Sequence, residues 1–263
     1  MIAHHTLVSR WYDASTDAVT ATRSQSDAET SEMLNLGRAG AGDDAPLAGV
    51  VGVVLAGGAS RRMGRNKTAL VIGGEPLVRR SVARLRLALD EVVVVGSPDL
   101  ASLIPETRIV ADDWPGRGPL GALATALRAL DEPDAGAWSG GAWWALLVAC
   151  DMPFTQPALL RAMARLALAS PDAQAVALRG PRGLEPLHAV YARSCQSAAL
   201  ARLAAGSDAS LQGLLAMLQV REVAPEDVRR LDPLGRSTFN ANTPEQWQRA
   251  LALAADERRD NDG

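Results

Sequence analysis

From residue 50 onward, short hydrophobic runs alternate with longer stretches in which hydrophobic residues recur at helical spacing. Short runs with little polar alternation are typical of strands that are buried on both faces of a parallel sheet. The chain has five of them: VVGVVLA (50–56), EVVVV (91–95), RIVA (108–111), WWALLVA (143–149) and QAVAL (174–178). The alternation therefore predicts strands that are connected by helices.

The stretch between the first two runs shows the helical pattern clearly. Val78, Val82 and Leu85 follow one another at intervals of four and three residues, which places them on one helix face. Pro76 suits the first turn of this helix. The arginines that lie between the hydrophobic positions are expected to face elsewhere: Arg79, Arg80, Arg84 and Arg86.

The same alternation defines the expected fold class. Residues 118–130 and 157–169 have the same helical periodicity. Strands joined by helices favour an α/β fold of three layers, with a mostly parallel sheet and right-handed crossovers. In such sheets ligands bind at the carboxyl ends of the strands. We therefore expect the functional residues directly after the hydrophobic runs.

The two ends of the chain differ from this body. Residues 1–47 are rich in Ser, Thr, Ala, Asp and Gly and show no sustained period, which predicts a disordered extension. Near the other end, Thr243 and Gln246 form a capping box at a helix start. We expect residues 48–256 to form a single domain and the charged residues 257–263 to form a frayed tail.

The distribution of charge argues against a nucleic-acid partner. Residues 1–47 carry seven acidic and three basic side chains, so the rest of the chain has a formal charge of +1 within a total of −3. A nearly neutral body lacks the clustered basic residues on which nucleic-acid binding depends. The pairs Arg79–Arg80 and Arg229–Arg230 are expected on solvated helix faces.

Membrane insertion, secretion and a disulfide framework are not indicated. No apolar run approaches the roughly 20 residues that a membrane span needs, and the amino terminus has no basic stretch followed by an apolar one. Cys150 and Cys195 are too few for a disulfide framework and have no metal-type spacing. We expect both to be buried, reduced thiols in a cytoplasmic protein.

A glycine-rich loop, LAGGASRRMGRNK, follows directly from the first hydrophobic run. Gly57 and Gly58 allow a tight turn and a close approach of a ligand to the main chain. Ser60 and the residues around it offer N–H groups to an anion. The spacing matches neither the dinucleotide-binding fingerprint nor the P-loop. The loop therefore predicts a phosphate site of another kind.

The loop ends on Lys67, the only lysine of the chain, while the other 26 basic residues are arginines. A compact ammonium with three donors can lie between phosphate oxygens, and the planar guanidinium of arginine is a poor substitute there. Lys67 is thus the first candidate for a phosphate contact. Of Arg61 and Arg62, we expect one to contact phosphate and the other to face solvent, and we assign the contact to Arg61.

Carboxylates at strand ends are candidates for a cation site. Asp151 follows the run WWALLVAC, and a carboxylate at the end of a buried strand needs a partner, for which a metal ion is suited. Mg²⁺ commonly binds one or two carboxylates together with phosphate oxygens. A turn-capping role for Asp151 is the alternative. The second candidate is Asp112 or Asp113, at the end of the run RIVA.

Five sequence blocks resemble the nucleotidyltransferases of the molybdenum cofactor guanylyltransferase type, whose amino-terminal motif reads L-A-G-G-x-S-x-R-M-G-x-x-K. They lie in family order between residues 50 and 247. The blocks are LAGGASRRMGRNK, DDWPGRGPLGAL, ACDMP, EPLHAVY and FNANTPE.

The resemblance implies a Rossmann-like nucleotidyltransferase fold and an enzyme that transfers GMP from GTP to the phosphate of molybdopterin or Mo-molybdopterin. Pyrophosphate would be released and Mg²⁺ would be required. Other proteins of cofactor biosynthesis or molybdoenzyme maturation are implied as partners. The reaction needs positioning and charge neutralisation, since the attacking phosphate is already ionised.

The resemblance also implies roles for single residues. Lys67 would bind the phosphates and Asp151 would bind the metal. Asp112 would contact the nucleotide, since its distance from Gly118 favours it over Asp113. The guanine and ribose would lie against four loop residues: Leu55, Ala56, Gly57 and Gly58.

The pterin side of the site is implied less directly. Asn240 and Asn242, in FNANTPE, match its family motif, and turn and capping roles are their alternative. His188, in EPLHAVY, is either a strand residue or part of the pterin pocket.

Three positions depart from the family pattern: Asn66, Ser97 and Glu185. The first two, Asn66 and Ser97, concern the choice of guanine over another base. The alternatives are therefore a cytidylyltransferase that acts on the same cofactor, against which Gly57 and Gly58 argue, and a non-catalytic nucleotide-binding relative, against which Lys67, Asp112 and Asp151 argue.

Overall fold

A computed structural model of the chain describes residues 46–57, 67–130, 143–180, 183–206 and 210–261. The described strands are, in chain order, β1 Val50–Leu55, β2 Val71–Ile72, β3 Glu75–Pro76, β4 Val92–Val95, β5 Arg108–Val110, β6 Trp144–Ala149, β7 Ala175–Gly180, β8 Gly183–Ala192 and β9 Val220–Glu222. The described helices are α1 Leu77–Arg86, α2 Gly118–Ala129, α3 Pro157–Leu168, α4 Gln196–Ala205, α5 Leu211–Leu215, α6 Pro225–Leu231 and α7 Pro244–Asn261.

The central sheet confirms the predicted fold class. Its order is β5-β4-β1-β6-β8-β7-β9, and β2 pairs with β3 in a separate hairpin. Strands β5, β4, β1 and β6 run parallel to one another. Every residue of β1 and β6 is buried, because these central strands lie under helices on both faces. All five hydrophobic runs of the sequence form strands of this sheet.

Strand β8 gives the sheet its antiparallel part. It pairs antiparallel with β6 on one side and with β7 on the other, and β9 adds to β7 in parallel. Its first five residues are half-buried and its last five are buried. The sheet is therefore mostly parallel, as predicted, with an antiparallel strand beside its buried centre.

The helices complete the three layers. Helix α1 packs against α3, and α2 packs against α4, on opposite faces of the sheet. None of the described helices combines the length and the apolar character that a membrane crossing requires. Cys150 and Cys195 are buried free thiols, as predicted.

The carboxyl ends of the four parallel strands form one edge. The register pairs Leu55 of β1 with Val95 of β4 and with Ala149 of β6. Main-chain hydrogen bonds continue just beyond the strands, since Cys150 N donates to Leu55 O at 3.0 Å and Ala56 N donates to Val95 O at 2.9 Å. The segments after β1, β4 and β6 therefore start from the same edge.

Arg80 does not lie on a solvated helix face, and that expectation was wrong. Its side chain is buried, with Nε donating to Pro153 O at 2.8 Å and its guanidinium 5.5 Å from the centre of the Phe154 ring. The guanidinium also pairs with Glu75 at 3.3 Å and with Glu257. The reason is that Glu257 of α7 and the carbonyl of Pro153 both lie within reach of this side chain. Arg229 and Arg230 are exposed, as expected.

The end of the chain also differs from the expectation of a frayed tail after residue 256. Helix α7 continues to Asn261. Glu257 accepts hydrogen bonds from Arg80 and from Arg84, the latter at 3.0 and 3.1 Å. These ion pairs fix the last turns of α7 against α1. The predicted capping box is present, with Gln246 N donating to Thr243 Oγ1 at 3.2 Å.

His188 is a fully buried residue of β8. Its Nδ1 lies 3.3 Å from Ser237 O, and its Nε2 has no hydrogen-bond partner within the described structure. Burial lowers the pKa of His188 to about 4, against the smaller opposing effects of the Ser237 carbonyl and Asp232. The imidazole is therefore neutral at physiological pH. This burial favours the strand alternative for His188 over the pterin pocket.

Replacement of Glu257 by alanine is expected to lower the free energy of unfolding by about 2 kcal/mol, because the buried Arg80 guanidinium loses a carboxylate partner. Urea denaturation measures the change. Asp256→Ala is the matched control, since Asp256 pairs with Arg259 at the exposed surface, and a loss below about 0.5 kcal/mol is expected there. Equal losses in the two variants would contradict the role of α7 described above.

The titration of His188 predicts a pH-dependent loss of stability. Because its folded pKa lies below the ordinary 6.5, the unfolded chain binds a proton that the folded chain does not. The stability that neutral His188 confers is therefore complete above pH 6.5 and is lost as the pH falls towards 4.

The measurement compares the wild type with His188→Asn, which retains a donor towards Ser237 O. Between about pH 7.5 and about pH 5, the wild type should lose about 2 kcal/mol more free energy of unfolding than the variant. Parallel pH profiles would show that the pKa of His188 is not lowered in the folded chain.

Candidate active site

The glycine-rich loop leaves the sheet at the end of β1. The side chain of Leu55 belongs to the hydrophobic core, Ala56 is half-buried and Gly57 is exposed. Ala56 and Gly57 are thus the first loop residues that a ligand can reach. Gly58, Ser60 and Arg61 lie outside the described residues, so their predicted contacts stay predictions.

Asp112 lies beside the start of this loop. Its Oδ2 is 3.8 Å from the position that a Cβ on Gly57 would occupy. Its Oδ1 accepts hydrogen bonds from Trp114 N at 2.9 Å and from Thr125 Oγ1 at 3.3 Å. These two donors orient the carboxylate, so that its other oxygen faces the main chain of Gly57. The structure therefore brings Asp112 and Gly57 together.

Asp113 points in a different direction. It forms an ion pair with Arg128 of α2, with 2.6 Å between Oδ2 and Nε, and both side chains are well exposed. Its main-chain N donates to Thr125 Oγ1. Asp113 is thus a surface partner of α2.

Lys67 begins a short 3-10 turn, Lys67–Ala69, where the chain returns from the loop to the sheet edge. Its Nζ lies 3.7 Å from Oδ2 of Asp151 and donates a hydrogen bond of 2.8 Å to Oδ1 of Asn242. Its side chain is only 17% exposed. The ammonium group is therefore fixed between a carboxylate and an amide oxygen at the carboxyl ends of the strands.

Asp151 follows β6 and the buried Cys150. Burial raises the pKa of Asp151, and the nearby Lys67 ammonium opposes this effect. The carboxylate is nevertheless accessible, with 23% of its side chain exposed. A negative group in such a position is stabilised by any additional cation that reaches it.

The oxygens around Lys67 fit a hard divalent cation. Asp151 supplies a carboxylate and Asn242 an amide oxygen, and both face the same positive charge. Within the described ranges, no group of three or more His, Cys, Asp or Glu side chains is placed to bind a metal ion. Mg²⁺ needs few protein ligands, because it retains water and takes substrate phosphates as further ligands. The donor set is thus suited to Mg²⁺ bound together with a phosphorylated substrate.

The remaining predicted residues lie in less direct positions. Asn240 donates to Thr238 O at 3.3 Å, which is a local turn contact. Ser97, at one of the departures from the family pattern, accepts a hydrogen bond from Asp99 N and caps the turn Pro98–Ser102. His188 is enclosed within the sheet.

Two contributions were missed in the sequence. Asn242 was assigned to the pterin side, and its contact with Lys67 was not foreseen. Arg80 was placed in solvent, whereas it donates to the main chain of the turn that follows Asp151. The four-residue spacing of Arg80 and Arg84 puts both on one helix face, which is the only sequence signal of their shared partner, Glu257.

The chain is similar to known proteins over most of its length. Residues 52–223 match the family model of the MobA-like NTP transferase domain. A protein of Chloroflexus aggregans named "Probable molybdenum cofactor guanylyltransferase" is 36% identical over 202 residues, covering 74% of this chain and 89% of that protein. A protein of the same name from Pelotomaculum thermopropionicum is 34% identical over 210 residues, covering 79% and 94%.

A solved structure supports the fold independently. The molybdopterin-guanine dinucleotide biosynthesis protein A of Archaeoglobus fulgidus superposes with a TM-score of 0.66 at 24% identity, covering 78% of this chain and 99% of that one. The family match and the two relatives confirm the resemblance that the sequence motifs predicted. The chain belongs to the MobA-like NTP transferase family and is a nucleotidyltransferase.

Proposed function

We propose that this enzyme transfers GMP from GTP to the terminal phosphate of molybdopterin or Mo-molybdopterin in a Mg²⁺-dependent reaction. The observation that supports this best is the position of Lys67 beside Asp151 at the carboxyl ends of β1 and β6. The names of the relatives supply the substrates. The reduced cysteines suit an enzyme of the cytoplasm.

The reaction is a single displacement at the α-phosphorus of GTP. An oxygen of the pterin phosphate forms a bond to that phosphorus, and the bond from the phosphorus to the oxygen of the β-phosphate breaks. Pyrophosphate leaves with the electron pair, and nothing is oxidised or reduced. The attacking oxygen is already ionised, so the site needs to align the reactants and to neutralise charge.

The residues of the site suit these two tasks. The nucleoside would bind to the main chain at Ala56, Gly57 and Gly58. Asp112 would contact it from beside Gly57. Ser60 and Arg61 would contact phosphate from the loop. Lys67 would stabilise the charge that develops on the departing pyrophosphate, because an ammonium close to the leaving oxygens favours the transition state over the ground state.

Asp151 would hold Mg²⁺ through its accessible carboxylate. The ion would shield the triphosphate and polarise it. Asn240 and Asn242 would also border the pterin. The partners of the reaction are therefore GTP and the pterin cofactor, together with the proteins that supply or receive that cofactor.

The test measures pyrophosphate release from each of the four NTPs with molybdopterin and Mg²⁺. Release from GTP, and from none of the other three NTPs, supports the proposal. Release from CTP would establish the cytidylyltransferase alternative, and binding of a nucleotide without release from any of them would establish a non-catalytic protein.

Lys67→Arg is expected to lower kcat by a factor of between about 10 and 100, because the guanidinium cannot occupy the position between the Asp151 and Asn242 oxygens. Steady-state pyrophosphate release measures the change. Arg230→Lys is the control, since Arg230 pairs with Asp227 at the surface of α6. A Lys67→Arg enzyme as active as this control would exclude Lys67 from the reaction.

Asp151→Asn is expected to lower kcat at least about 100-fold without loss of stability. Because burial raises the folded pKa of Asp151, the folded chain binds the proton more tightly than the unfolded chain. The free energy of unfolding that Asp151 contributes is therefore complete below pH 3.8, its ordinary pKa, and is lost as the pH rises through the folded pKa.

Urea denaturation of Asp151→Asn at neutral pH should thus give a free energy of unfolding equal to or above that of the wild type. A wild-type rate would remove Asp151 from the site. A marked loss of stability would mean that the ion pair with Lys67 outweighs the cost of burial.

A further inference from the structure

Among the described residues, the Lys67 ammonium has two polar contacts, and the shorter one is made by Asn242, in the segment before α7. Its distance to Asn242 Oδ1 is 2.8 Å, against 3.7 Å to Asp151 Oδ2. A hydrogen bond of 2.8 Å restricts the direction of an ammonium that has three rotatable donors. The position of Asn242 therefore determines where Lys67 points.

Asn242 is exposed, so core packing does not fix it. Gln246 provides the constraint instead. Its Oε1 accepts hydrogen bonds from Asn242 N at 2.9 Å and from Thr243 N at 3.0 Å. In an ordinary capping box the Gln side chain reaches only the N-cap residue. Here it reaches one residue further, to the residue whose side chain contacts Lys67.

The residues on either side of Gln246 are also attached to the turn that contains Asp151. Ala241 N donates to Asp151 O at 2.9 Å. At the other end of α7, Glu257 pairs with Arg80, which donates to Pro153 O. The helix that contains Gln246 is thus anchored at both ends to the turn that contains Asp151. These anchors hold α7 relative to Asp151, so that Gln246 Oε1 offers Asn242 N an acceptor at a defined place.

We propose that Gln246 is a positioning residue for the Lys67 ammonium and acts through the main chain of Asn242. The inference concerns the geometry of Lys67, and its effect on turnover rests on the phosphate role that Lys67 has in the proposed function. Gln246 contacts no reacting atom. Its contribution is to keep the amide oxygen of Asn242 where Lys67 needs it.

The single lysine of the chain gives this proposal a direct readout. Protein grown with lysine labelled with ¹⁵N at Nζ yields one side-chain ammonium resonance, which belongs to Lys67. Ammonium protons that are hydrogen-bonded exchange with water more slowly than free ones. The resonance therefore reports the contact with Asn242 without any substrate.

Three variants test the proposal. Gln246→Ala removes the acceptor, Gln246→Glu retains an oxygen acceptor at the same place, and Gln248→Ala makes the same truncation at an exposed position of α7. Gln246→Ala should accelerate exchange of the Lys67 ammonium protons by about fivefold, the loss expected for one hydrogen bond. Gln246→Glu should restore slow exchange, and Gln248→Ala should match the wild type.

Kinetics then separate positioning from substrate binding. Gln246→Ala should lower kcat by between about 10- and 100-fold with little change in the KM for the pterin. Unchanged proton exchange in Gln246→Ala would overturn the proposal, as would a rise in the KM alone. Faster exchange in an enzyme that turns over no NTP would leave this inference standing and reject the proposed function.

Discussion

The ammonium group of Lys67 connects three parts of the chain that are distant in sequence. Asp151 reaches it from the end of β6, and Asn242 reaches it from the start of α7. The carboxylate is mostly buried and is raised in pKa by that burial. A buried charge of this kind requires a partner of opposite sign. The positions of the turn that begins at Lys67 and of the segment before α7 therefore depend on this one cation.

The sheet was predictable because its central strands leave a simple signal. Strands covered on both faces are hydrophobic along their whole length, and the sequence shows them as short apolar runs. Strand β8 gives no such signal, since its first half is only half-buried and contains Glu185 and Pro186. Arg80 could not be placed either. Periodicity identifies one face of α1, but the burial of the opposite face depends on α7, which lies more than 150 residues away in the sequence.

The arrangement of the candidate site could be predicted from the sequence to about the same extent as the sheet. The ends of parallel strands meet at one edge, so a lysine after β1 and an aspartate after β6 were expected together. The contact between Lys67 and Asn242 depends on how the segment before α7 packs beside Asp151, and no local pattern encodes that packing. The capping box was visible in the sequence, but a capping box indicates a helix start and does not reveal which residue its main chain will orient.

The attachment of both ends of α7 to the turn that contains Asp151 has a consequence for the order of assembly. A ribosome makes Lys67 and Asp151 long before it makes Asn242 and Glu257. During synthesis, the sheet and the first helices can form while the ammonium still lacks its amide acceptor. The hydrogen bond from the Lys67 ammonium to Asn242 can therefore form only after the ribosome has made the segment before α7, and the ion pair of Arg80 with Glu257 only after it has made most of α7.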